Sequence, residues 1–223
     1  MSVVEHVSIH EAVYRNLRDR LMRGDFLAGQ TLELQALADE LGTSTMPVRE
    51  ALRRLAEQRA IERTRSRSMC VPHLSLERLE DICRCRKLME GALTEWATPH
   101  LAQADIAELR TLSRQITAAL QTPATVAEGL QHNQAFHFRI YGAARSPSLL
   151  AMVEALWLQS GPYLRAARAL MHSDSRPDSD LHGDIVDALA LGDGVRAREA
   201  LVRDVSWAFD RLRATPQALS VAA

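Results

Sequence analysis

The sequence predicts a mainly α-helical protein with two domains, the second of which is an all-α bundle of six or seven helices. Three observations lead to this prediction. Two short stretches of helical periodicity stand on either side of Gly42-Thr43-Ser44, and helical periodicity returns near residue 75 and continues to about residue 214. Hydrophobic residues make up 47% of the chain but aromatic residues only 4%, a balance that favours helices over sheets.

The segment from Leu34 to Leu55 contains two short amphipathic helices. Each has apolar residues at i, i+3, i+4 and i+7, namely Leu34, Leu37, Ala38 and Leu41 in the first and Val48, Ala51, Leu52 and Leu55 in the second. Gly42 has the backbone freedom to end the first helix, and Ser44 is a favourable N-cap for the second. Pro47 falls in the first turn of that helix, where a missing N–H costs little. Two short helices joined in this way form a helix-turn-helix, whose second helix can enter the major groove of DNA.

The exposed face of the second short helix is polar and basic. Thr45, Arg49 and Arg53 are four residues apart and lie opposite the apolar stripe, and an arginine can donate two hydrogen bonds to a guanine edge. The alternative is an ordinary solvated face, on which the arginines stand beside Glu50 and Glu57. Residues 45–70 hold seven Arg against three Glu, although the whole chain has a net charge of −1. Positive charge is therefore concentrated where contacts with DNA phosphates would need it.

The residues on both sides of this segment carry a family resemblance. AVYRNLRDRLMRGDFLAGQTL, LADELGTSTMPVREALRRL and AEQRAIERTRSRSMCV together resemble the winged helix-turn-helix of the GntR-family transcription regulators, over residues from about 10 to 72. The resemblance implies a two-stranded wing after the second helix. Carried over by position, it implies DNA contacts from Gln35, Ser44, Thr45, Arg49 and Arg65. The wing tip, Arg65-Ser66-Arg67, stands where the family usually has a glycine, but it keeps the wing basic.

A change of pattern near residues 71–73 separates two domains, which we predict at residues 1–72 and 73–223. Pro72 ends the wing, and Ser75 can cap the next helix. The predicted helices of the second domain span residues 75–100, 104–121, 124–143, 147–171, 178–191 and 194–213. Gly161-Pro162 should bend the fourth of these helices without ending it. The result is an antiparallel helical bundle.

The second domain also carries a recognisable set of residues. Arg86-x-x-Met89-Glu90 lies on its first helix, Asn133-x-x-Phe136-His137 on its third, and His182 opens a late helix. This set, together with the Gly192-Asp193 turn before the last helix, resembles the FCD domain of the FadR-type subfamily of GntR regulators. The resemblance covers residues from about 75 to 213. It implies an FCD-like helical domain that binds an effector and forms the dimer.

The resemblance further implies a divalent-metal site inside the bundle. Many members of the subfamily hold the ion with one Asp and three His, and the matching positions here are Asn133, His137, His182 and Asp204. The i, i+4 spacing of Asn133 and His137 puts both on one helix face, as a chelating pair requires. Two imidazoles, a carboxylate and an amide oxygen suit zinc, nickel or manganese. The alternative is two buried histidines that form hydrogen bonds to Asp204 and Asn133 without any metal.

Arg86 is a candidate effector-binding residue. It lies four residues before Glu90 among apolar neighbours, so its side chain should face at least partly inward, and a buried arginine needs a partner. One interpretation is an i, i+4 ion pair with Glu90. The other is that Arg86 receives the carboxylate of a small organic acid with both arms of its guanidinium fork, and the family resemblance favours this second interpretation.

These features predict a homodimeric transcriptional regulator, a repressor by default, that binds double-stranded operator DNA. Its operator affinity would be controlled by a small carboxylate metabolite bound in the helical domain, together with the metal. A two-fold dimer would match a pseudo-palindromic operator. One alternative is a metal-sensing regulator in which the ion itself is the effector. A second is a metal-dependent enzyme built on the bundle site, although no pattern in the sequence supplies an evident nucleophile or cofactor loop.

The same sequence predicts a cytoplasmic protein with no membrane association. Its three cysteines, Cys70, Cys83 and Cys85, are odd in number and poorly spaced for a disulfide framework, so we expect reduced thiols. We recognise no signal peptide, lipidation motif or long apolar run.

Overall fold

A computed structural model describes residues 8–65, 67–119, 125–170 and 180–215 of the chain. In these ranges the α-helices are α1 (Ile9–Arg23), α2 (Leu34–Glu40), α3 (Thr45–Glu57), α4 (Leu76–Ala97), α5 (Gln103–Ala119), α6 (Val126–Ala143), α7 (Pro147–Ala169), α8 (Leu181–Ala190) and α9 (Gly194–Ala214). The strands are β1 (Thr31–Leu32), β2 (Glu62–Arg63) and β3 (Met69–Cys70). The mainly α-helical class is therefore confirmed. None of the described helices combines the length and apolar character that crossing a bilayer requires.

The N-terminal part is a helix-turn-helix with a small sheet beside it. Helices α2 and α3 are the two predicted short helices, and their apolar stripes pack with α1 in one core. The strands lie in the order β1-β3-β2, and all pairs are antiparallel. The expected two-stranded wing is present as β2 and β3, but it belongs to a three-stranded sheet, because Thr31 and Leu32 add a third strand by pairing with Cys70 and Met69. A strand of two residues is too short to show an alternating pattern in the sequence.

Two tight turns decide how this domain presents its basic residues. Gly42 has φ 61°, the left-handed conformation in which glycine has no steric cost, and it separates α2 from α3. The wing closes without a glycine, because Arg67 itself takes φ 67° and its backbone N–H donates to the Thr64 carbonyl at 3.0 Å. The guanidinium groups of Arg65 and Arg67 are both exposed at this turn. The departure from the family pattern therefore keeps the turn and adds charge to it.

The C-terminal part is a bundle formed by α4 to α9 in the described ranges. The Ser75 hydroxyl accepts a hydrogen bond from the Arg78 N–H and caps α4, as the sequence predicts. Helix α4 ends at Ala97 rather than at residue 100, because a 3-10 turn with Pro99 in it covers Thr98–His100. Helix α7 continues through Pro162, as predicted. The predicted helix ends at residues 121, 124, 171 and 178 lie outside the described residues.

The bundle places polar groups inside an otherwise apolar core. Helices α4 and α9 run in opposite directions side by side, since Glu80 pairs with Arg213 near one end and Glu95 with Arg198 near the other. Helices α6, α7 and α8 pack against this pair. Buried polar or charged side chains enter the interior from α4 to α8 and from the 3-10 turn after α4. They are Arg86, Glu90, Thr94, Thr98, Ser113, Asn133, His137, Ser160 and His182. Buried polar groups need partners, so this cluster is the natural place to look for a ligand site.

Candidate DNA-binding face and candidate ligand site

The first turns of α3 present the predicted DNA-binding residues to solvent. Ser44 occupies the N-cap position with an extended backbone, but its hydroxyl forms no cap hydrogen bond and is exposed. Thr45 is half-buried. Arg49 is exposed, and among the described residues no hydrogen bond or salt bridge holds its guanidinium. An arginine without an intramolecular partner loses no ion pair when it binds DNA.

Arg53 and Gln35 differ from Arg49 in this respect. The Arg53 guanidinium donates to Glu50 and to Glu57 at 2.6 Å each, so it lies in the solvated ion-pair network that was the alternative interpretation. The Gln35 amide donates to Asp39 at 2.8 Å. These contacts are on the surface, where ion pairs contribute little and can open when a phosphate competes for the arginine. Arg65 is exposed at the wing turn.

The four residues of the predicted metal site come together inside the bundle. Asn133 and His137 project from α6, His182 from the start of α8, and Asp204 from α9. The distance from His137 Nε2 to Asp204 Oδ2 is 3.3 Å, and that from His182 Nε2 to Asp204 Oδ1 is 3.7 Å. The distance from His182 Nε2 to Asn133 Oδ1 is 3.1 Å. Both histidines and the asparagine are buried, and the Asp204 side chain is 12% exposed.

These distances suit a tetrahedral ion. Zinc bonds of about 2.0–2.2 Å to nitrogen and oxygen put neighbouring ligand atoms about 3.3–3.6 Å apart, close to the separations observed here. One ligand atom from each of His137, His182 and Asp204 lies within 4.8 Å of the others. The donor set, with two imidazole nitrogens and one carboxylate, has the chemistry that zinc and nickel accept. The residues present therefore fit the ion that the family resemblance implies.

Tyr141 and Glu90 orient His137 from the other side of the ring. The Tyr141 hydroxyl is 2.5 Å from Glu90 Oε2, to which it donates, and 3.1 Å from His137 Nδ1. Burial and the neighbouring Glu90 charge raise the pKa of Tyr141 well above its usual value, so the phenol keeps its proton. Because the Tyr141 O–H donates its hydrogen bond to Glu90, the phenol oxygen can act towards His137 only as an acceptor, from a protonated Nδ1. This arrangement leaves His137 Nε2 to face Asp204, as metal-ligating histidines are usually held.

Arg86 is buried and paired with Glu90. Its Nε and Nη2 donate to the two carboxylate oxygens at 2.5 and 3.2 Å, and its guanidinium carbon lies 4.6 Å from the Trp157 ring centroid. Burial lowers the pKa of Arg86, but the charge and hydrogen bonds of Glu90 outweigh it and the net pKa is raised. Among the described residues, Nη1 and the Trp157 Nε1 are buried donors without a hydrogen-bond partner. The side of the guanidinium that was expected to receive an effector carboxylate, Nε and Nη2, is therefore occupied by Glu90. Nη1 is the guanidinium nitrogen that remains.

Sequence reasoning did not assign Tyr141, Glu90 or Trp157 to the site. Tyr141 lies four residues after His137, and Glu90 four after Arg86, so helical spacing was the signal for both. In the sequence, Glu90 belongs to the FCD-like residue set and is a candidate partner for Arg86, but nothing there connects it to His137. Trp157 comes from α7, and no spacing relates it to residues on α4 or α6.

Both halves of the chain match known protein families. Residues 9–71 match the family described as bacterial regulatory proteins, gntR family, and residues 81–206 match the FCD domain. The HTH-type transcriptional regulator McbR of Escherichia coli K12 is 32% identical over 161 residues, which are 72% of this chain and 72% of McbR. The HTH-type transcriptional repressor GlaR of the same organism is 26% identical over 194 residues, 84% of this chain and 88% of GlaR.

A solved structure has the same arrangement of both parts. The E. coli McbR/YncC structure superposes with a TM-score of 0.79 at 27% identity, and the match covers 90% of this chain and 94% of that one. These relatives are named as transcriptional regulators. The family match therefore supports the regulator and gives no support to the metal-dependent enzyme, which the sequence left as an alternative.

Proposed function

The chain belongs to the gntR family of bacterial regulatory proteins and is a DNA-binding transcriptional regulator with an FCD domain, and from this premise we propose that a ligand in the helical bundle controls its operator affinity. The ligand site consists of a divalent metal, zinc, nickel or manganese, and a small carboxylate that completes it. We assign DNA binding to residues 1–72, and effector binding and dimerisation to residues 73–223. We place the protein in the cytoplasm, as a repressor.

The observation that carries this proposal is the convergence of His137, His182 and Asp204. Three elements distant in the sequence bring their ligand atoms within 4.8 Å of one another in a buried place. Asn133 Oδ1 lies beside them, 3.1 Å from His182 Nε2. When bound, the ion acts as a Lewis acid that holds an anionic oxygen of the effector. The unpartnered Nη1 of Arg86 supplies a donor for the same class of ligand.

The DNA-binding part of the proposal uses a homodimer. Two copies related by a two-fold axis present two α3 helices to the two halves of a pseudo-palindromic operator. Ser44, Thr45, Arg49 and Arg53 on or before α3 would reach bases and phosphates. Gln35 would contact the DNA backbone, and Arg65 would contact the DNA from the wing. Ligand binding controls repression if it favours one relative placement of the two DNA-binding domains over another.

A second candidate is a regulator for which the ion itself is the effector. The completeness of the protein-derived donor set favours it, because two imidazoles, a carboxylate and an amide oxygen already supply four ligand atoms. The two candidates differ in one respect that can be measured. A metal sensor changes its DNA affinity with the ion alone, whereas a metabolite-responsive regulator needs the carboxylate in addition.

We expect His137→Ala to abolish metal binding, because the ion loses one of two imidazoles and the ligand that Tyr141 orients. The measurement is zinc content by mass spectrometry after dialysis, together with titration calorimetry of the chelator-stripped protein with Zn²⁺. Wild type should hold about one ion per chain and the variant none.

The matched control is His132→Ala on the same helix. His132 is half-buried and pairs with Glu128 at 3.5 Å, away from the site, so this variant should bind zinc as wild type does. If wild type holds no zinc, nickel or manganese under these conditions, the metal part of the proposal is wrong.

A further inference from the structure

We propose that helix α7 carries the state of the bundle site to the DNA-binding domain, through a backbone contact between Gly161 and helix α1. The inference rests on the proposed function, since it names the route by which the ligand site acts. It concerns three parts of α7: Trp157 at the site, Pro162 within the helix, and Gly161 with Arg165 at the junction with α1.

The first step is the contact of α7 with the ligand site. Trp157 is 1% exposed, and its ring centroid lies 5.4 Å from that of His137 and 4.6 Å from the Arg86 guanidinium carbon. The ring therefore packs against the histidine that would bind the ion and the arginine that would meet the effector. Because protein interiors are close-packed, a shift of either side chain must be accommodated by the indole or by the helix that carries it.

The second step is the contact of α7 with α1, four residues further along. A Cβ atom placed on Gly161 would lie 1.7 Å from the Leu21 carbonyl oxygen and 3.2 Å from the Gly24 nitrogen. A Cβ on Gly24 would lie 2.5 Å from the Gly161 oxygen. The two backbones thus touch with no side chain between them. Arg165 adds a hydrogen bond from its Nη1 to the Gly24 carbonyl at 3.0 Å.

A second connection joins α7 to the end of the recognition helix. Arg78, near the start of α4, donates through Nη2 to the Arg59 carbonyl at 2.6 Å and to Gln159 Oε1 at 3.2 Å. Arg59 lies two residues after the end of α3 and has φ 57°, so its carbonyl lies at the turn that ends that helix. The Tyr163 hydroxyl accepts from the Ser75 N–H at 3.1 Å. Helix α7 is therefore attached to α1, to the start of α4, and through Arg78 to the turn after α3.

The third step leads from α1 to the DNA-binding face. The Tyr14 hydroxyl donates to Gln58 at 3.2 Å, and Arg54 stacks on the Tyr14 ring at 3.5 Å while it pairs with Glu11 at 3.1 Å. These contacts fix α1 to α3. A displacement of α1 by α7 therefore changes the direction in which α3 points.

Pro162 gives α7 a place at which it can bend. Proline has no N–H, so the Leu158 carbonyl lacks its usual helical donor between Trp157 and the contacts with α1. The helix is softer at this point than elsewhere along its length. A small change at the indole can then alter the angle at which Gly161 and Arg165 meet α1.

The test uses hydrogen–deuterium exchange of the full-length protein, with Zn²⁺ as the probe. In wild type, Zn²⁺ should change deuterium uptake at least twofold in peptides covering residues 14–26. Arg165→Met keeps the aliphatic stem but removes the donor to Gly24. Gly161→Ala forces the two backbones apart. Both variants should still bind Zn²⁺ in calorimetry but lose the response in α1, whereas the controls Arg110→Met and Gly142→Ala should respond as wild type does. Arg110 pairs with Asp187 on the surface of the bundle, and a Cβ on Gly142 meets nothing within 4 Å.

A second comparison needs no ligand, so failure of the metal site and failure of the α7 route can be told apart. Trp157→Phe without any added ion should change uptake in the same α1 peptides, and it should add nothing in the Arg165→Met background. An α1 response that persists unchanged in Arg165→Met and in folded Gly161→Ala overturns the inference. An absence of any α1 change in Trp157→Phe overturns it too. A wild type that fails to bind Zn²⁺ counts against the proposed metal site alone.

Discussion

Replacing Glu90 with alanine should lower the free energy of unfolding by about 3–5 kcal/mol, because it leaves the Arg86 charge buried without a partner. Arg86 is 2% exposed and Glu90 fully buried, and the carboxylate accepts from two guanidinium nitrogens and from Tyr141. The loss is measured by urea denaturation followed by circular dichroism. The same change should remove the hydrogen bond that orients Tyr141.

Two further variants separate the buried charge from ordinary loss of an ion pair. Asp187→Asn removes the partner of Arg110 on the surface, where both side chains are half exposed, and it should cost about 1 kcal/mol or less. In Glu90→Leu combined with Arg86→Met, both charges are gone, so most of the lost stability should return. A Glu90→Ala protein as stable as Asp187→Asn would mean that Arg86 is not buried as a charge.

Replacing Arg49 with alanine should weaken operator binding by about 1–3 kcal/mol, roughly 5- to 150-fold in Kd. Arg49 is exposed on α3, and its guanidinium forms no hydrogen bond or salt bridge with the described residues. Its loss should therefore affect DNA contacts and leave the fold intact. The probe is a duplex enriched from a random library by the wild-type protein, and Kd is measured by fluorescence anisotropy at several salt concentrations.

The control for this variant is Arg110→Ala, which removes one positive charge from the bundle and should leave the Kd for DNA unchanged. If Arg49 reads a base, the variant should also tolerate substitutions at one position of each half-site that wild type rejects. Arg53→Ala should have the smaller effect, because in the free protein this arginine is already paired with Glu50 and Glu57. Equal Kd values for Arg49→Ala and wild type would remove Arg49 from the DNA-binding face.

The helix-turn-helix could be predicted from the sequence because its signals are local. The apolar stripes of α2 and α3, the left-handed glycine at residue 42 and the N-cap position of Ser44 all follow from spacing within 22 residues. What local spacing missed was the pairing of Thr31 and Leu32 with β3, nearly forty residues away. It also missed that Arg67 would adopt the left-handed conformation in place of a glycine.

The ligand site was predictable only in part, for a similar reason. Asn133 with His137 and Arg86 with Glu90 are i, i+4 pairs, whose shared face follows from helix geometry. The approach of Asp204 and His182 to the same point depends on how α6, α8 and α9 are placed within the bundle, and only the family resemblance indicated it. Trp157 and the Gly161 contact depend on how α7 crosses α1 and α4, which no pattern within a single helix encodes.

The central claim, that the bundle site controls DNA binding, is tested most directly by the Kd for the enriched operator duplex in three conditions. These are chelator, Zn²⁺, and Zn²⁺ with a mixture of succinate and malate, each applied to wild type and to His137→Ala. We predict that the wild-type Kd changes at least about fivefold between chelator and one of the other conditions, while the variant keeps one Kd throughout. A wild-type Kd that is the same in all three conditions, or an equal change in His137→Ala, would contradict the claim.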